Sequence, residues 1–292
     1  VDCTFGRGGH SRALLRDLTD SSQLYALDVD RAAIQRAQRL ARADRRLIVF
    51  KSSYSKLADV LKDVEPQGIL FNSGFTTDAK NDPTRGIKRG PLDLRYDREA
   101  GVPCAEWLAN VSLEELGAKI EENSPWPEKK SLRIAWHLLD AQRRHEMDTI
   151  QQFRKASQEF MQIFQDDEDS GRQSSFRLLA ILRTIVNNEL EELEKGLTAA
   201  LDCLSLGGRC LVVCQGTAER TVIWKLLDGL TEPSPSAARR MSRDLLRELY
   251  PLTGTDLPYT VRLVCRPIAL SGQERADNPD STSTARLIVL EK

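Results

Sequence analysis

The stretch VDCTFGRGGHSRALLRDL (residues 1–18) decides the fold class of this chain. A short apolar segment leads into three glycines within four positions, Gly6, Gly8 and Gly9, and a helical pattern follows. Glycines between a strand and a helix let the backbone approach a ligand closely, and the helix N-terminus adds partial positive charge. The stretch is therefore typical of a strand, a ligand-binding loop and a helix in series. A tight connection without a ligand is the alternative explanation.

The segments after this stretch alternate between helix and strand patterns. Apolar runs typical of buried strands are LYALDVD (24–30), RLIVF (46–50) and GILFN (68–72), and helical stripes separate them. This alternation predicts a mostly parallel sheet covered by helices. The pattern resumes with a helix from about residue 186 to residue 206 and the strand CLVVC (210–214). Near the end, TVRLVC and ARLIVLEK predict a pair of strands.

The middle of the chain has a different pattern. From about residue 105 to residue 182 it shows helical stripes and no convincing strand. We interpret this segment as a helical insertion. Residues 1–104 and 183–292 then form the first and second parts of one α/β domain.

Composition and charge exclude several classes of protein. The 292 residues are 40% hydrophobic and 29% charged, as in ordinary soluble globular proteins, and no apolar run could span a bilayer. The net charge of −1 gives no general attraction to nucleic acid or membrane. The six cysteines form no CxxC pairs, so we expect buried free thiols. His137 and His145 have no metal-ligand company, so we expect no metal site.

An acidic residue at the end of the second predicted strand adds to the signal of the glycine loop. Asp28 follows the loop by about 20 residues, the spacing at which an acid accepts hydrogen bonds from ribose hydroxyls. The alternative is a helix cap, and Asp30 competes for that role. Loop and acid together favour a nucleoside-containing cofactor. Because the spacing FGRGGH does not match the dinucleotide pattern GxGxxG, S-adenosyl-L-methionine is the better candidate.

Five segments carry a resemblance to a known family. DCTFGRGGHSRALL, ALDVDRAAI, GPLDLRYD, VNNELEELEKGL and LGGRCLVV resemble the MraW/RsmH family of small-subunit ribosomal RNA (cytosine-N4) methyltransferases. The resemblance implies a class I methyltransferase fold, which is Rossmann-like with a mostly parallel sheet, and a helical insertion. It also implies S-adenosylmethionine as the methyl donor.

The resemblance also assigns roles to individual residues. Gly8, Gly9 and His10 match the cofactor loop, Asp28 matches the ribose-binding acid, and Tyr54 matches an aromatic residue beside the adenine. With Gly6 from the same loop, these form the predicted cofactor site.

Asn72 is the predicted catalytic residue and a further cofactor contact. It stands in NSG (72–74), where the family has the acid of D-L-G. The lone pair of a cytosine amine is delocalised into the ring, so methylation needs an acceptor that engages the amine hydrogens. The carbonyl of Asn72 can accept them, although an ionised acceptor makes a hydrogen bond about twice as strong. The alternative is that Asn72 is only a turn residue.

Four departures from the family pattern predict an eroded site. Ala79 replaces a glutamine that contacts the cofactor, and the segment IK (87–88) shortens an aromatic stretch. In CQGTAER (214–220), Gly216 stands where the family has a histidine, and NPDST (278–282) replaces a basic segment. The alternative function is therefore a weak or inactive methyltransferase-fold assembly factor that binds the maturing small ribosomal subunit.

The expected partners are small-subunit ribosomal RNA and ribosomal or assembly proteins, with no membrane. Either RNA contact or a solvated face explains two basic clusters, which are Arg36, Arg39, Arg42, Arg45 and Arg46, and Arg239, Arg240, Arg243 and Arg247. We interpret the tryptophans as core or interface anchors and not as a platform for base stacking: Trp107, Trp126, Trp136 and Trp224. The sequence leaves open whether the chain forms homo- or hetero-oligomers. The divergence favours the mitochondrial matrix, with the bacterial cytoplasm as the alternative.

Overall fold

The computed structural model describes residues 1–74, 89–144, 147–161, 171–230, 239–242, 244–245, 261–277 and 285–292. Contacts divide the chain into two compact units, Val1–Gly74 with Leu190–Lys292, and Phe75–Glu189. The second unit extends beyond the predicted insertion at both ends. The division at residues 105 and 182 stays a prediction.

The first unit contains the sheet. Its strands are β1 (Leu24–Asp28), β2 (Leu47–Lys51), β3 (Gly68–Phe71), β4 (Arg209–Cys214), β5 (Arg262–Leu263), β6 (Ile268–Ala269) and β7 (Arg286–Glu291). Residues 1–5 run between β1 and β3, since Asp2 bridges both Ala26 and Leu70 in parallel. The order is therefore β2, β1, residues 1–5, β3, β4, β7 and β5, with β6 also paired to β7.

The directions of the strands confirm the predicted fold class. β1 and β2 are parallel, and so are β3 and β4. β7 runs antiparallel to β4 and to β5, which confirms the predicted strand pair near the end of the chain. The sheet is thus mostly parallel and Rossmann-like, as in a class I methyltransferase.

Eleven helices lie in the described ranges. They are α1 (Gly9–Asp17), α2 (Arg31–Ala43), α3 (Leu57–Leu61), α4 (Cys104–Asn110), α5 (Leu113–Glu122), α6 (Glu128–Arg143), α7 (Ile150–Met161), α8 (Gly171–Val186), α9 (Glu189–Cys203), α10 (Thr217–Leu230) and α11 (Gly272–Asp277). A 3₁₀ turn, Tyr54–Lys56, precedes α3.

Apolar side chains cover the sheet on both faces. Successive side chains of a strand point to opposite faces. Leu27 of β1 accordingly belongs to one buried cluster, which side chains of α3, α9 and α10 complete. Phe5 and Ala26 belong to another cluster, which α1 and α2 complete. Helices therefore flank both sides, as the near-continuous apolar strands predict.

The second unit has its own helical core. The fully buried side chains of Leu116, Ile134, Leu138 and Phe153 belong to one cluster that α4 to α8 share. Of the described residues in 105–182, none forms more than an isolated strand bridge. Trp136 is 52% exposed, so a core position is wrong for this tryptophan.

The predicted helix from about residue 186 is wrong at its start. α8 ends at Val186 and α9 begins at Glu189, because Asn188 takes a left-handed conformation with φ 48°. Asparagine tolerates this conformation better than other residues with a Cβ. The buried Glu189 carboxylate then binds the guanidinium of Arg183 through oxygens at 2.6 and 3.0 Å.

Arg46, one of the arginines of the predicted basic cluster, has a structural role. Its guanidinium donates to the carbonyl oxygens of Leu15 at 2.7 Å and Leu18 at 2.6 Å. It also binds the Asp44 carboxylate at 2.6 Å, which holds the pKa of that carboxyl below its ordinary value. Arg46 therefore satisfies carbonyls at the end of α1.

We expect Arg46→Ala to lower the thermal unfolding midpoint by about 2–4 °C, because these carbonyls lose a charged donor. Arg45→Ala is the matched control: Arg45 is exposed, and its removal should shift the midpoint by less than about 1 °C. Thermal unfolding followed by circular dichroism measures both variants. Equal shifts would contradict the capping role of Arg46.

Membrane spans, metal ligands and cysteines are the remaining features of the described ranges. None of the helices there combines the length and the apolar content that crossing a membrane requires. No group of three or more His, Cys, Asp or Glu side chains among the described residues is arranged to hold a metal ion. All six cysteines are free thiols; Cys265 is exposed, and burial raises the pKa of Cys210 and Cys214 to about 12.

Candidate functional site

The predicted site residues lie where parallel strands end. The glycine loop follows residues 1–5, Asp28 is the last residue of β1, and Asn72 comes directly after β3. Because these strands are parallel neighbours, their carboxyl ends meet at one edge of the sheet. Ligands of open α/β sheets bind in the crevice at this edge.

Gly8 and Gly9 of the loop are glycines for two different reasons. Gly8 has φ 77°, and a Cβ there would lie 2.6 Å from Cζ of Phe5, so both conformation and space demand glycine. Gly9 starts α1, and a Cβ there would meet nothing within 4 Å. A tight connection accounts for Gly8 but not for Gly9. The open space at Gly9 lies at a helix N-terminus, where a ligand can approach the backbone.

Asp28 holds the loop in place. Its Oδ2 accepts a 2.7 Å hydrogen bond from the peptide nitrogen of Gly6, and its Oδ1 accepts one of 2.8 Å from Asp30. The helix cap is Asp30, whose Oδ1 accepts from the nitrogen of Ala32 at 3.0 Å. The structure therefore assigns the cap to Asp30 and joins Asp28 to the glycine loop.

Burial changes the acidity of Asp28. Removal from water raises the pKa of this carboxyl to about 6, against the lowering effect of the two backbone donors. The negative charges of Asp30 and Asp2 raise the pKa further. An ionised carboxylate offers about four acceptor positions, so the two bonds to the backbone leave capacity for two further donors.

His10 and Asn72 come together at the same edge. The Nδ2 atom of Asn72 lies 3.1 Å from Nε2 of His10. The peptide nitrogen of Asn72 donates to Oγ1 of Thr4 at 2.9 Å, which ties the end of β3 to residues 1–5. If Nδ2 donates to the histidine ring, the side-chain Oδ1 of Asn72 keeps its lone pairs for another donor.

Tyr54 packs as part of the apolar core on one face of the sheet. It is half-buried, and its ring meets that of Phe71 edge-on, with centroids 5.5 Å apart and an angle of 81°. A Cβ on Gly196 would lie 2.7 Å from Cδ2 of Tyr54, so α9 approaches the ring closely. This packing fixes the ring, and the contact with adenine stays a prediction.

A buried polar group under the loop was missed by sequence reasoning. Asp2 is fully buried and accepts hydrogen bonds from Oγ of Ser11 at 2.6 Å and from the nitrogen of Thr4 at 3.1 Å. The bond from Ser11 connects the first turn of α1 to residues 1–5. The signal was available, because an acid within an apolar strand needs polar partners close in the sequence or in the fold.

The departures from the family pattern are only partly visible. The nitrogens of Gln215 and Gly216 donate to Oε2 of Glu219 at 2.6 and 2.7 Å, so this acid caps the start of α10. Gly216 thus lies in a helix-capping turn and has no side chain to offer. Ala79, the segment IK (87–88) and the segment NPDST (278–282) lie outside the described residues.

The basic clusters are also partly outside the described residues. Arg243 and Arg247 are not described, whereas Arg239 and Arg240 are exposed. On α2 and just after it, Arg39, Arg42 and Arg45 are exposed.

Comparisons with known proteins identify relatives of this chain. The chain is 33% identical to the ribosomal RNA small subunit methyltransferase H of Burkholderia vietnamiensis, over 99% of this chain and 90% of that protein. It is 31% identical to the protein of the same name from Cupriavidus metallidurans, over 97% of this chain and 85% of that protein.

A solved structure also aligns with the chain. It is a Streptococcus mutans protein assigned as a methyltransferase, in complex with SAH. The match has 9% identity and a TM-score of 0.42, and it covers 100% of this chain and 86% of the other. The family match is the strongest finding, because the MraW methylase family matches residues 1–292. From its glycine loop to its last strand, this chain belongs to the MraW methylase family.

Proposed function

We propose that this chain is an S-adenosylmethionine-dependent methyltransferase that acts on the N4 amine of a cytosine in small-subunit ribosomal RNA. The observation that carries the proposal is the bond between Asp28 and Gly6, which joins the ribose-binding acid to the glycine loop. Membership of the MraW methylase family and the names of the relatives support the reaction and the substrate class.

The residues present fit this cofactor. The open space at Gly9 admits a ligand to the N-terminus of α1, and Asp28 has acceptor capacity for ribose hydroxyls. Tyr54 supplies an aromatic surface for the adenine. When bound, the cofactor supplies an electrophilic methyl group. The protein has to position the amine, exclude water and accept its hydrogens.

Asn72 positions the amine in this proposal. His10 accepts from Nδ2 and thereby sets the orientation of the amide, so that Oδ1 is the atom left to accept from the cytosine amine. Thr4 holds the backbone of Asn72 at the end of β3. Because the amide is neutral, its hydrogen bond to an amine that gains positive charge is weaker than that of a carboxylate.

We expect Asn72→Asp to raise the rate of methyl transfer about 5- to 30-fold, because about 1–2 kcal/mol of charged hydrogen bonding is gained. The assay is transfer of labelled methyl groups to small-subunit particles, with mass spectrometry of the modified nucleoside. Methylation at cytosine N4 by the wild type supports the proposed reaction. An unchanged rate in Asn72→Asp would remove Asn72 from the catalytic role, and methylation elsewhere would contradict the substrate atom.

Cofactor affinity should depend on pH through Asp28. Ribose hydroxyls donate to the ionised carboxylate, and the free protein binds a proton there with a pKa of about 6. The affinity for SAH is therefore highest well above pH 6, where the carboxylate is ionised. It should fall by about tenfold for each pH unit below 6. Calorimetric titration with SAH at pH 7.5, 6 and 5 measures this, and a flat profile would contradict the contact. In Asp28→Asn the pH dependence of SAH affinity should disappear. Any pH dependence that remains in this variant comes from another titrating group.

The second candidate function is a methyltransferase-fold assembly factor without strong activity. Gly216 favours it, because this turn offers no side chain where the family has a histidine. This protein would bind the maturing small subunit together with ribosomal or assembly proteins. For either function the proposed location is the mitochondrial matrix, with the bacterial cytoplasm as the alternative. Particle binding without any methylation by the wild type would decide for this candidate.

A further inference from the structure

The outward face of α6 is a basic surface with an exposed aromatic ring. Positions three or four apart share one face of a helix. On α6 and its exit, the residues at this spacing are Lys129, Arg133, Trp136, Asp140, Arg143 and Arg144, and all except the half-buried Asp140 are exposed. We call this set the α6 basic face. The opposite side of α6 buries Ile134 and Leu138 in the core of the second unit.

Trp136 stands apart from the other tryptophans of the chain. It is 52% exposed, whereas Trp126 is 7% exposed and both Trp107 and Trp224 are half-buried. A large aromatic side chain in water contributes little to the stability of a fold, since it leaves most of its apolar area unburied. Folding of the second unit therefore does not explain a tryptophan at position 136.

The neighbouring histidine steadies the indole ring. The rings of Trp136 and His137 have centroids 4.9 Å apart and meet at 83°, so they do not stack in parallel. Burial and the charge of Arg133 lower the pKa of His137, so its ring is mostly neutral at pH 7. Because the adjacent His137 ring is neutral, the indole ring of Trp136 remains an aromatic surface with cations around it.

Charge decides what this face can bind. Lys130 adds a further cation beside the five exposed residues, and it lies 5.6 Å from the ring centre of the buried Trp126. The acids on α6 are Glu128 and Asp140, and Asp140 binds Arg144 at 3.2 Å. The face is positive in a chain whose net charge is only −1. Clustered Lys and Arg side chains favour a partner that carries a regular row of negative charges, as the phosphates of a nucleic acid do.

We propose that the α6 basic face binds single-stranded RNA, with a base stacked on Trp136 and phosphates bound by Arg133 and Lys129. Aromatic rings that stack with bases, beside cations that bind phosphates, are how proteins hold single strands. The inference deepens the proposed function, because it rests on RNA as the substrate class. It adds a binding surface within the second unit.

Phe176 offers a matched control. It is another exposed aromatic residue of the same unit, 46% exposed on α8. Its ring already has the guanidinium of Arg154 at 4.8 Å from its centre, and it lies outside the α6 basic face. Loss of Phe176 should therefore leave RNA affinity unchanged, although the exposed aromatic area removed is similar.

The test uses the full chain and a fluorescent single-stranded RNA of about 12 nucleotides from small-subunit ribosomal RNA, a length within known site sizes. Trp136→Ala should weaken binding about tenfold, and Trp136→Phe should keep most of the affinity. Phe176→Ala should bind like the wild type. The double variant Lys129→Ala with Arg133→Ala should reduce the salt slope by about 1.4, the value for two phosphate contacts on a single strand.

The outcomes separate this inference from the proposed function. If the wild type binds the RNA and Trp136→Ala binds it equally well, the α6 basic face is not the site, while the proposed function stands. If the wild type binds no RNA at micromolar concentration, the inference fails, while methyl transfer to small-subunit particles still decides the proposed function separately. If Trp136→Ala changes the sedimentation of the protein but not RNA binding, the face joins copies of this chain and the inference is wrong. SAH titration and circular dichroism of each variant report an intact first unit and an intact fold.

Discussion

Gly8→Ala is expected to lower the free energy of unfolding by about 2–4 kcal/mol. Part of this cost comes from the backbone, because φ at Gly8 is 77° and a residue with a Cβ is strained there. The rest comes from the 2.6 Å approach of the new Cβ to the Phe5 ring. That ring is only 3% exposed and packs in the cluster between the sheet and α1, so it has little room to move.

Gly9→Ala is the matched control, one residue further along. A Cβ at Gly9 meets nothing within 4 Å, and the position is the first of α1. Alanine favours a helix over glycine, so the free energy of unfolding should stay within about 0.5 kcal/mol of the wild type or rise. Affinity for SAH should nevertheless fall, because the methyl group enters the space through which the cofactor reaches the helix N-terminus.

Urea denaturation and calorimetric titration with SAH measure the two effects separately. Equal stability of Gly8→Ala and the wild type would contradict the steric role of Gly8. Unchanged SAH affinity in Gly9→Ala would mean that the open space at this position is not the cofactor path.

Asp28→Asn should weaken SAH binding about 100-fold at pH 7.5. A hydrogen bond to a charged acceptor contributes about 1.5–3 kcal/mol and one to a neutral acceptor about 0.5–1.5 kcal/mol, so two ribose bonds lose about 2–3 kcal/mol. Asp30→Asn is the control, because asparagine caps helices as well as aspartate does. It should leave both SAH affinity and stability nearly unchanged. Wild-type affinity in Asp28→Asn would contradict the role of Asp28.

The same variant has a signature in stability. The folded protein holds the pKa of Asp28 at about 6, above the ordinary value of 3.8, so it binds this proton more tightly than the unfolded chain does. The stabilising contribution is complete below pH 4 and is lost as the pH rises through 6, and it amounts to about 3 kcal/mol. Asp28→Asn should lack this component between pH 4 and pH 7. Parallel stability profiles of variant and wild type would contradict the raised pKa.

Sequence patterns predicted the sheet and the loop because both depend on local chemistry. The apolar runs of β1 to β4 are continuous enough to indicate buried parallel strands, and the glycines of the loop have few conformational substitutes. The bond between Asp28 and Gly6 was not predicted from the sequence; it is seen only in the structure, where parallel strands end at one edge.

Other features depend on contacts between distant parts of the chain. Arg46 binds carbonyls at the end of α1, a role that composition cannot distinguish from a solvated arginine cluster. The break at Asn188 lies inside a continuous helical stripe, and Glu189 and Arg183 stabilise it. Trp136 has an apolar side chain at a position that the fold leaves in water. Propensity favours the wrong answer in each case, because a tertiary contact or its absence decides.

The position of residues 1–5 in the middle of the sheet has a consequence for synthesis on the ribosome. The strands on either side of them, β1 and β3, are complete by Phe71, so four neighbouring strands can assemble early. β4, which pairs with β3, follows only after the whole of Phe75–Glu189 has been translated. Until then β3 is an open edge, the kind of surface on which nascent chains aggregate. We expect the second unit, with its own apolar core, to fold during this interval and so to shorten the wait for β4.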